Sequence, residues 1–367
     1  MSFRRHSVAV AVVLLLITGA VMTSYLSATN ENQRYINSSG ANDAGFTKLP
    51  QILWQYLTTT NKERSPAFTL PVAKMQLPAV ATADPILYKI SHSTVLMQLN
   101  GHYWLTDPVF SERASPVQWA GPKRFHQLPL QLSEVPALAG IILSHDHYDH
   151  LDKHSVLALN DRTERFIVPL GVDQHLIRWG IPKQKIIALD WWQDTSLHGV
   201  TLTATPAQHF SGRGLSDKNK TLWASWAIKT DQLKLFFSGD SGYFSGFKTI
   251  GERLGPFDVT LIETGAYNEL WADIHMLPEQ SLRAHLDVRG KHMIPIHNSS
   301  FDLAMHNWHE PLERLEAAAK AYQVPLLTPI FGQAIPLHKP DATATQKRWW
   351  KSMMAETTHI EEVLRLE

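Results

Sequence analysis

The amino-acid sequence predicts an α/β protein in which two mixed β-sheets pack face to face and helices cover their outer faces. From residue 86 onward, short apolar runs rich in β-branched and aromatic residues recur between Gly, Pro, Asp and Asn, which is the pattern of strands. The first runs follow one another closely, as in hairpins, whereas later runs alternate with stretches of helical length. Hairpins followed by strand–helix alternation are typical of a layered α/β domain.

The predicted elements follow in order along the chain. The strands are 86–90, 94–99, 102–106, 140–144, 166–169, 186–189, 200–204, 223–229, 233–238, 258–263 and 292–296. The helices are 152–160, 172–179, 278–288 and 309–322. The last helix is supported by apolar residues at helical spacing, from Leu312 to Tyr322.

Composition restricts the classes of function. The chain has 367 residues, of which 44% are hydrophobic and 19% are charged, as in globular proteins. Lys+Arg and Asp+Glu both total 34, so no net charge favours nucleic acid, and we predict no nucleic-acid partner. Cysteine is absent, which excludes disulfides and thiolate ligands. A transition metal would therefore need imidazole and carboxylate ligands, and the chain has 19 histidines.

Residues 1–28 have the pattern of a signal peptide or an N-terminal membrane anchor. Arg4 and Arg5 precede the apolar run Val8–Met22, as in an export signal. The run is shorter than the ~20 residues of a membrane span, although the following residues bring it close to that length. The positive-inside rule then predicts an exported protein, in the periplasm or at the periplasmic face of the inner membrane. A buried helix of a soluble protein is the alternative.

The rest of the chain divides into a linker with an N-terminal arm, the main domain and a C-terminal tail. Residues 29–80 are a polar linker (29–48) followed by a Pro-punctuated N-terminal arm (49–80). The main domain is predicted at 81–340. Residues 341–367 form an amphipathic C-terminal tail, whose basic and aromatic residues at 347–354 suit either an anionic membrane surface or packing against the domain.

The segment from Ser144 to His150 is the most informative part of the sequence. On a helix, His145 and His147 would point about 200° apart and could not share a metal. On a strand, Asp149 and His150 would point to opposite faces. The four side chains can converge only on an irregular loop, and the segment does lie between a predicted strand and a predicted helix. Carboxylate and imidazole ligands favour Zn²⁺, with Fe or Mn as alternatives.

The pattern H-x-H-x-D-H after an apolar strand resembles the hallmark of the metallo-β-lactamase superfamily. The order and spacing of further motifs resemble the subgroup that contains N-acyl-phosphatidylethanolamine-hydrolysing phospholipase D. These motifs are His92-Ser93-Thr94, Leu105-Thr106-Asp107-Pro108, Thr205-Pro206-Ala207-Gln208-His209, Ser238-Gly239-Asp240-Ser241-Gly242-Tyr243 and Ile296-His297. The resemblance covers roughly residues 80–338 and implies a four-layer αββα metallo-β-lactamase fold for the catalytic domain at 81–340.

The resemblance also implies a binuclear site with two Zn²⁺ per chain. One zinc would be bound by His145, His147 and His209, and the other by Asp149, His150 and His297. Asp240 would bridge the two ions. His209, Asp240 and His297 each follow a predicted strand, as a site built from loops requires. Taken alone, a histidine after a strand is more often structural, so these assignments depend on the ordered set.

Other residues are predicted to support or complete the site. Asp107 and His92 are expected to contact the ligands from behind, with Asp107 accepting the free N–H of a ligating histidine. An ordinary Asp-Pro turn is the alternative for Asp107. Catalytic roles are expected for Asp240, for Asp146 in orienting water or accepting a proton, and for His275 in protonating the leaving oxygen or binding phosphate. Phospholipase relatives carry Asn where this chain has Asp146. The expected substrate contacts are Tyr148, Arg213 and Tyr243.

We therefore predict a hydrolase of phospholipase D type, acting on N-acyl-phosphatidylethanolamine-like lipids through a metal-bound hydroxide. A lactonase or other ester hydrolase of the same fold is one alternative, because the same hydroxide attacks a carbonyl carbon. A membrane-anchored metal-binding envelope protein without turnover is the other. The expected partners are the lipid-like substrate and a membrane, contacted through the N-terminal segment. The sequence does not specify the oligomeric state.

Overall fold

The computed structural model describes residues 34–40, 49–58, 61–214, 216–345 and 348–354. Its strands are β1 (Ile86–Lys89), β2 (Val95–Leu99), β3 (His102–Thr106), β4 (Leu138–Ile142), β5 (Thr163–Pro169), β6 (Ile186–Leu189), β7 (Asp194–Leu197), β8 (Val200–Thr205), β9 (Ser225–Lys229), β10 (Lys234–Phe237), β11 (Phe257–Glu263), β12 (Gly290–Ile296) and β13 (Ala334–Pro336). Its helices are α1 (Leu49–Thr58), α2 (Lys153–Leu159), α3 (Val172–Arg178), α4 (Gly246–Arg253), α5 (Pro278–Asp287), α6 (Glu310–Ala321) and α7 (Ala342–Thr345).

Two mixed sheets form the centre of the domain. The first has the strand order β13-β1-β2-β3-β4-β5-β6, and the second has the order β12-β11-β10-β9-β8-β7. Strands β3 to β6 are parallel neighbours, as are β10 to β12, while the remaining pairs are antiparallel. Parallel strands that follow one another need crossover helices, which is why α2 and α3 separate β4, β5 and β6.

The secondary structure forms the four layers of an αββα architecture, and three hydrophobic clusters fill the spaces between these layers. Between the sheets, fully buried side chains such as Trp104 and Trp226 interdigitate. A second cluster packs Val156 of α2 and Leu176 of α3 against the outer face of the first sheet. A third packs α4, α5 and α6 against the second sheet, for example through Leu315. The predicted fold class is confirmed.

Every predicted strand and helix coincides with an observed element, whereas β7, β13, α1, α4 and α7 were not predicted. Strand β7 is polar because it is a half-exposed edge strand. Strand β13 is an edge strand of three residues. Helix α4 contains Gly251, which disfavours a helix but is required by packing: a Cβ there would lie 2.2 Å from the Asp287 carbonyl oxygen.

The described parts of both terminal segments pack against the domain. The predicted signal or anchor at 1–28 lies outside the described residues, and none of the described helices is long and apolar enough to cross a membrane. Residues 34–40, expected to belong to a linker, instead dock on the domain through the buried Asn37. In the tail, Trp349 and Trp350 are buried in a cluster with Trp308, so residues 348–354 pack against the domain.

Candidate metal centre

The predicted metal-binding loop follows β4 directly and ends at α2. Its backbone turns sharply, since the N–H groups of His150 and Leu151 both donate to the carbonyl of His147, at 3.1 and 2.8 Å. Asp152 then begins α2 by accepting a hydrogen bond from the His154 N–H at 3.1 Å, as N-cap residues do. The loop is therefore the irregular connection between strand and helix that the histidine spacing requires.

Three histidines form the first ligand group. Nε2 of His145 lies 2.9 Å from Nδ1 of His147, and Nε2 of His209 lies 3.2 Å from the same Nδ1. The His145 and His209 side chains are almost fully buried. His209 follows β8 in the second sheet, so two sheets contribute to one group. Their nitrogen atoms are close enough together to bind a single ion.

The second group contains Asp149, His150 and His297. Oδ2 of Asp149 lies 3.4 Å from Nε2 of His150 and 3.3 Å from Nε2 of His297. His297 follows β12 and has a positive φ of 61°, which turns its ring toward the loop. The carbonyl of His92 fixes this turn by accepting the His297 N–H at 3.0 Å.

Asp240 lies between the two groups. Its Oδ2 is 3.0 Å from Nε2 of both His150 and His297, and 3.8 Å from Nε2 of both His145 and His209. The residue follows β10 after Gly239, where a Cβ would lie 2.6 Å from the Ser144 Cβ. Glycine at 239 therefore lets the β10 loop approach the metal-binding loop closely. The seven residues that the sequence analysis selected as ligands meet at one place.

Hydrogen bonds behind the rings fix which nitrogen faces the centre. Nδ1–H of His150 donates to Asp107 Oδ2 at 2.6 Å, and Nδ1–H of His145 donates to Ser144 Oγ at 2.9 Å. Nδ1–H of His209 donates to the Ile274 carbonyl at 2.9 Å. All three rings therefore present Nε2, the usual arrangement around a bound metal.

The predicted supporting residues lie against the ligands. Asp107 accepts hydrogen bonds from the Ser144 N–H and Oγ as well as from His150. Nε2 of His92 lies 3.1 Å from Asp149 Oδ2, and its ring is 3.9 Å from that of His297. Both residues are buried and hold ligands of the second group in place.

The histidines of the two groups differ in how readily they hold a positive charge. Burial holds the pKa of His145 and His209 well below the ordinary value. Burial also lowers the pKa of His150, but the neighbouring carboxylates, Asp240 foremost, outweigh it and hold that pKa well above its ordinary value. The same balance raises the pKa of His297 to about 10. The carboxylates therefore attract cationic charge to the second group.

The donor set fits divalent cations. Oδ1 of Asp240 is buried and has no hydrogen-bond partner among the described residues. Buried polar atoms are normally paired, and a bound cation would supply the missing partner. Imidazole nitrogen and carboxylate oxygen are ligands that Zn²⁺, Fe and Mn all accept.

His275 and Glu263 form a pair at the edge of the centre. Nδ1 of His275 lies 3.1 Å from Glu263 Oε2, and its ring is 5.1 Å from that of His209 and 5.2 Å from that of His297. Glu263 ends β11, is fully buried, and also accepts the N–H groups of Ser241 and Met276. Burial raises its pKa. The sequence analysis missed Glu263, although an acidic residue that ends an apolar run was the available signal.

The carboxylate of Asp146, for which a catalytic role is predicted, forms hydrogen bonds away from the ligand rings. Oδ2 of Asp146 lies 3.1 Å from Nε2 of His175, and Oδ1 accepts the Gly212 N–H at 2.8 Å. Nδ1 of His175 in turn accepts a hydrogen bond from Arg178. Asp146 therefore ties the metal-binding loop to α3 and to the loop that follows His209.

The three residues predicted to contact the substrate all form contacts within the protein. Arg213 donates to the backbone carbonyls of Asp146 and Leu151, and its guanidinium stacks 4.0 Å from the Tyr148 ring centroid. The Tyr148 hydroxyl donates back to the Arg213 carbonyl. These two residues therefore close one loop onto another. The Tyr243 hydroxyl donates to the carboxylate of Asp287, the last residue of α5. His275 lies before the first residue of α5, and the helix is about 13 Å long.

Fold and site together define a metal-dependent hydrolase of the metallo-β-lactamase fold. A family model described as a β-lactamase superfamily domain matches residues 102–298, and the chain belongs to this superfamily. The chain is 43% identical over 311 residues to an uncharacterised protein of Mycobacterium tuberculosis, covering 83% of this chain and 82% of that protein.

A second relative carries a functional name. The chain is 36% identical over 240 residues to N-acyl-phosphatidylethanolamine-hydrolysing phospholipase D 1 of Caenorhabditis elegans, covering 62% of this chain and 67% of that protein. Among solved structures, isothiocyanate hydrolase from Delia radicum gut bacteria matches with a TM-score of 0.55 and 21% identity, covering 68% of this chain and 98% of that one. That likeness extends to the fold alone. The predicted resemblance to the phospholipase subgroup is confirmed.

Proposed function

We propose that the protein is a binuclear zinc phosphodiesterase of phospholipase D type, acting on N-acyl-phosphatidylethanolamine-like lipids. The observation that carries the binuclear assignment is the position of Asp240. Its Oδ2 lies within 3.8 Å of Nε2 atoms from both ligand groups. A carboxylate at this position suits a bridge between two cations. In this assignment His145, His147 and His209 bind one ion, and Asp149, His150 and His297 bind the other.

Two such cations would supply an activated water and Lewis acidity toward a phosphoryl oxygen. The chain itself must then deliver a proton to the leaving alcohol. His275 is placed for this step, because Glu263 orients its Nδ1–H and leaves Nε2 available. Water adds to phosphorus and gives up a proton to solvent, the P–O bond to the N-acylethanolamine breaks, and the departing oxygen takes the Nε2 proton of a doubly protonated His275 ring.

The lipid-like substrate is supported by one relative. The C. elegans relative is named for N-acyl-phosphatidylethanolamine hydrolysis.

The proposal is tested by metal content and substrate ranking. Purified full-length protein should contain close to two zinc ions per chain and hydrolyse N-acyl-phosphatidylethanolamine faster than a lactone. His147→Ala should abolish turnover, whereas His154→Ala, at an exposed position on α2, should leave it unchanged. Iron or manganese in place of zinc would correct the metal assignment. Less than one metal with full activity would refute the binuclear site, and faster lactone hydrolysis would favour an ester hydrolase.

We further propose that residues 1–28 direct export, either as a cleaved signal or as a membrane anchor. Arg4 and Arg5 before the apolar run Val8–Met22 support this proposal. Two reporters can be fused to the C-terminus of the full chain. A reporter that works only outside the cytoplasm should be active, and a reporter that works only in the cytoplasm should be inactive. A reporter that is active in the cytoplasm would contradict the proposal.

A further inference from the structure

Residues 34–40, which we call the strap, dock on the loop that carries His209. The Asn37 side chain is buried, and its Nδ2 donates to the His209 carbonyl at 3.0 Å. Its Oδ1 accepts the His209 N–H at 3.0 Å and the Trp223 Nε1–H at 3.0 Å. One side-chain amide thus supplies a partner to both backbone groups of a residue 172 positions away.

The burial of the strap is concentrated at Asn37. Ile36 is 57% exposed, and Ser38 is also exposed. A further backbone hydrogen bond joins the Tyr35 N–H to the Asn219 carbonyl at 2.9 Å. The strap therefore contacts the domain at both ends of the 209–219 loop, with Asn37 as its buried anchor.

The 209–219 loop transmits this contact to the metal-binding loop. Asn219 closes the loop by accepting the Ser211 N–H. Gly212 and Arg213 then hold Asp146, which lies between the ligands His145 and His147. The strap, the 209–219 loop and the metal-binding loop are consequently joined by one continuous set of hydrogen bonds.

We propose that the strap completes the first metal site, with Asn37 as the positioning residue for His209. This inference rests on the proposed metal-binding function. The Ile274 carbonyl holds Nδ1 of the His209 ring, but the backbone from which the ring projects is held by Asn37. A ligand must be held close to its productive position for tight binding, and residues that orient ligands typically contribute about 10- to 100-fold to metal affinity.

The first test measures zinc affinity by titrating the zinc-loaded full-length protein with a chelator of known affinity. Asn37→Ala should release one of the two zinc ions at a chelator strength about 10- to 100-fold lower than wild type. The matched control is Ile36→Ala, an exposed neighbour in the strap, which should release zinc as wild type does. Zinc affinities within twofold of wild type for Asn37→Ala would overturn the inference.

The second test needs no variant, and it stands if Asn37→Ala does not fold. Coupling between two equilibria is reciprocal, so a strap that strengthens zinc binding must itself be docked more firmly when zinc is bound. Hydrogen exchange of the strap amides and of the His209 N–H should therefore slow about 10- to 100-fold on adding Zn²⁺. The turn between β7 and β8 lies at the opposite end of β8 from His209, and its amides serve as the control. Equal slowing in strap and hairpin would overturn the inference.

Failure of the strap inference is distinguishable from failure of the proposed function. If wild type binds two zinc ions and hydrolyses the diester while Asn37→Ala does the same with equal affinity, only the strap inference fails. If wild type binds no zinc, the proposed metal centre itself fails, and the strap inference falls with it.

Discussion

Replacing Asp107 with Asn should weaken metal binding without disturbing the fold. Asp107 is fully buried and accepts hydrogen bonds from His150 Nδ1 at 2.6 Å, Ser144 N at 2.7 Å and Ser144 Oγ at 2.6 Å. Asn has the same size and tolerates the positive φ of 34° at this position. Its amide nitrogen, however, cannot accept a hydrogen bond, so either the Ser144 N contact at Oδ1 or the two contacts at Oδ2 are lost.

The magnitude follows from the contact to His150. A hydrogen bond to a charged acceptor contributes about 1.5–3 kcal/mol, which corresponds to about a 10- to 150-fold change in an equilibrium constant. With the carboxylate present, Nδ1 of His150 keeps its proton and Nε2 presents its lone pair to the ion. The Asn variant removes both the negative charge and part of this orientation. We therefore expect metal affinity at the second group to fall by about 10- to 150-fold.

Chelator competition on the zinc-loaded protein measures this change. The matched control is Asp152→Asn, because Asp152 caps α2 without contacting the ligand rings. The control should retain its zinc affinity, and its helix cap should be kept because Asn caps helices about as well as Asp. Zinc binding within twofold of wild type in a folded Asp107→Asn protein would refute the assigned role of Asp107.

Three further predictions test other parts of the structure. His275→Ala should lower kcat about 10²- to 10⁴-fold while zinc content stays unchanged; loss of zinc would instead make His275 a ligand. Burial lowers the pKa of Lys89 to about 7, so the unfolded chain binds more protons between about pH 7 and 10, and stability rises with pH across that window. Lys89→Met should remove a rise on the order of 4 kcal/mol, measured by urea unfolding at both pH values; an unchanged slope would contradict the burial of the ammonium group. Gly239→Ala should destabilise the fold by about 1–3 kcal/mol, because its Cβ would lie 2.6 Å from the Ser144 Cβ, and an unchanged melting temperature would contradict this packing.

The candidate metal centre was predictable partly from the local sequence and partly from the resemblance to the metallo-β-lactamase superfamily. His145 to His150 occupy one loop, and their spacing is incompatible with shared ligation on either regular structure. His209, Asp240 and His297 each follow an apolar run, and the ends of parallel strands gather at one edge of a sheet. Strand and helix positions followed in the same way from apolar periodicity.

The roles of the polar residues around the centre were decided by contacts between distant segments. Asp146 lies among the ligands in the sequence, yet its carboxylate bonds His175 and Gly212. Tyr243 stands in a motif beside Asp240, yet its hydroxyl reaches the far end of α5. Neighbours in sequence can point to opposite sides of a loop, and only the folded backbone determines which side faces the candidate metal centre.

The sequence alone determined the fold class and the loop from His145 to His150, because apolar periodicity and local spacing encode them. The other candidate ligands were identified by the resemblance to the metallo-β-lactamase superfamily. Only the tertiary structure placed Glu263 behind His275, and Asn37 beside a residue 172 positions away. A hydrogen bond depends on distance and direction in space, and a lone polar residue in the chain has no periodicity that reveals its partner.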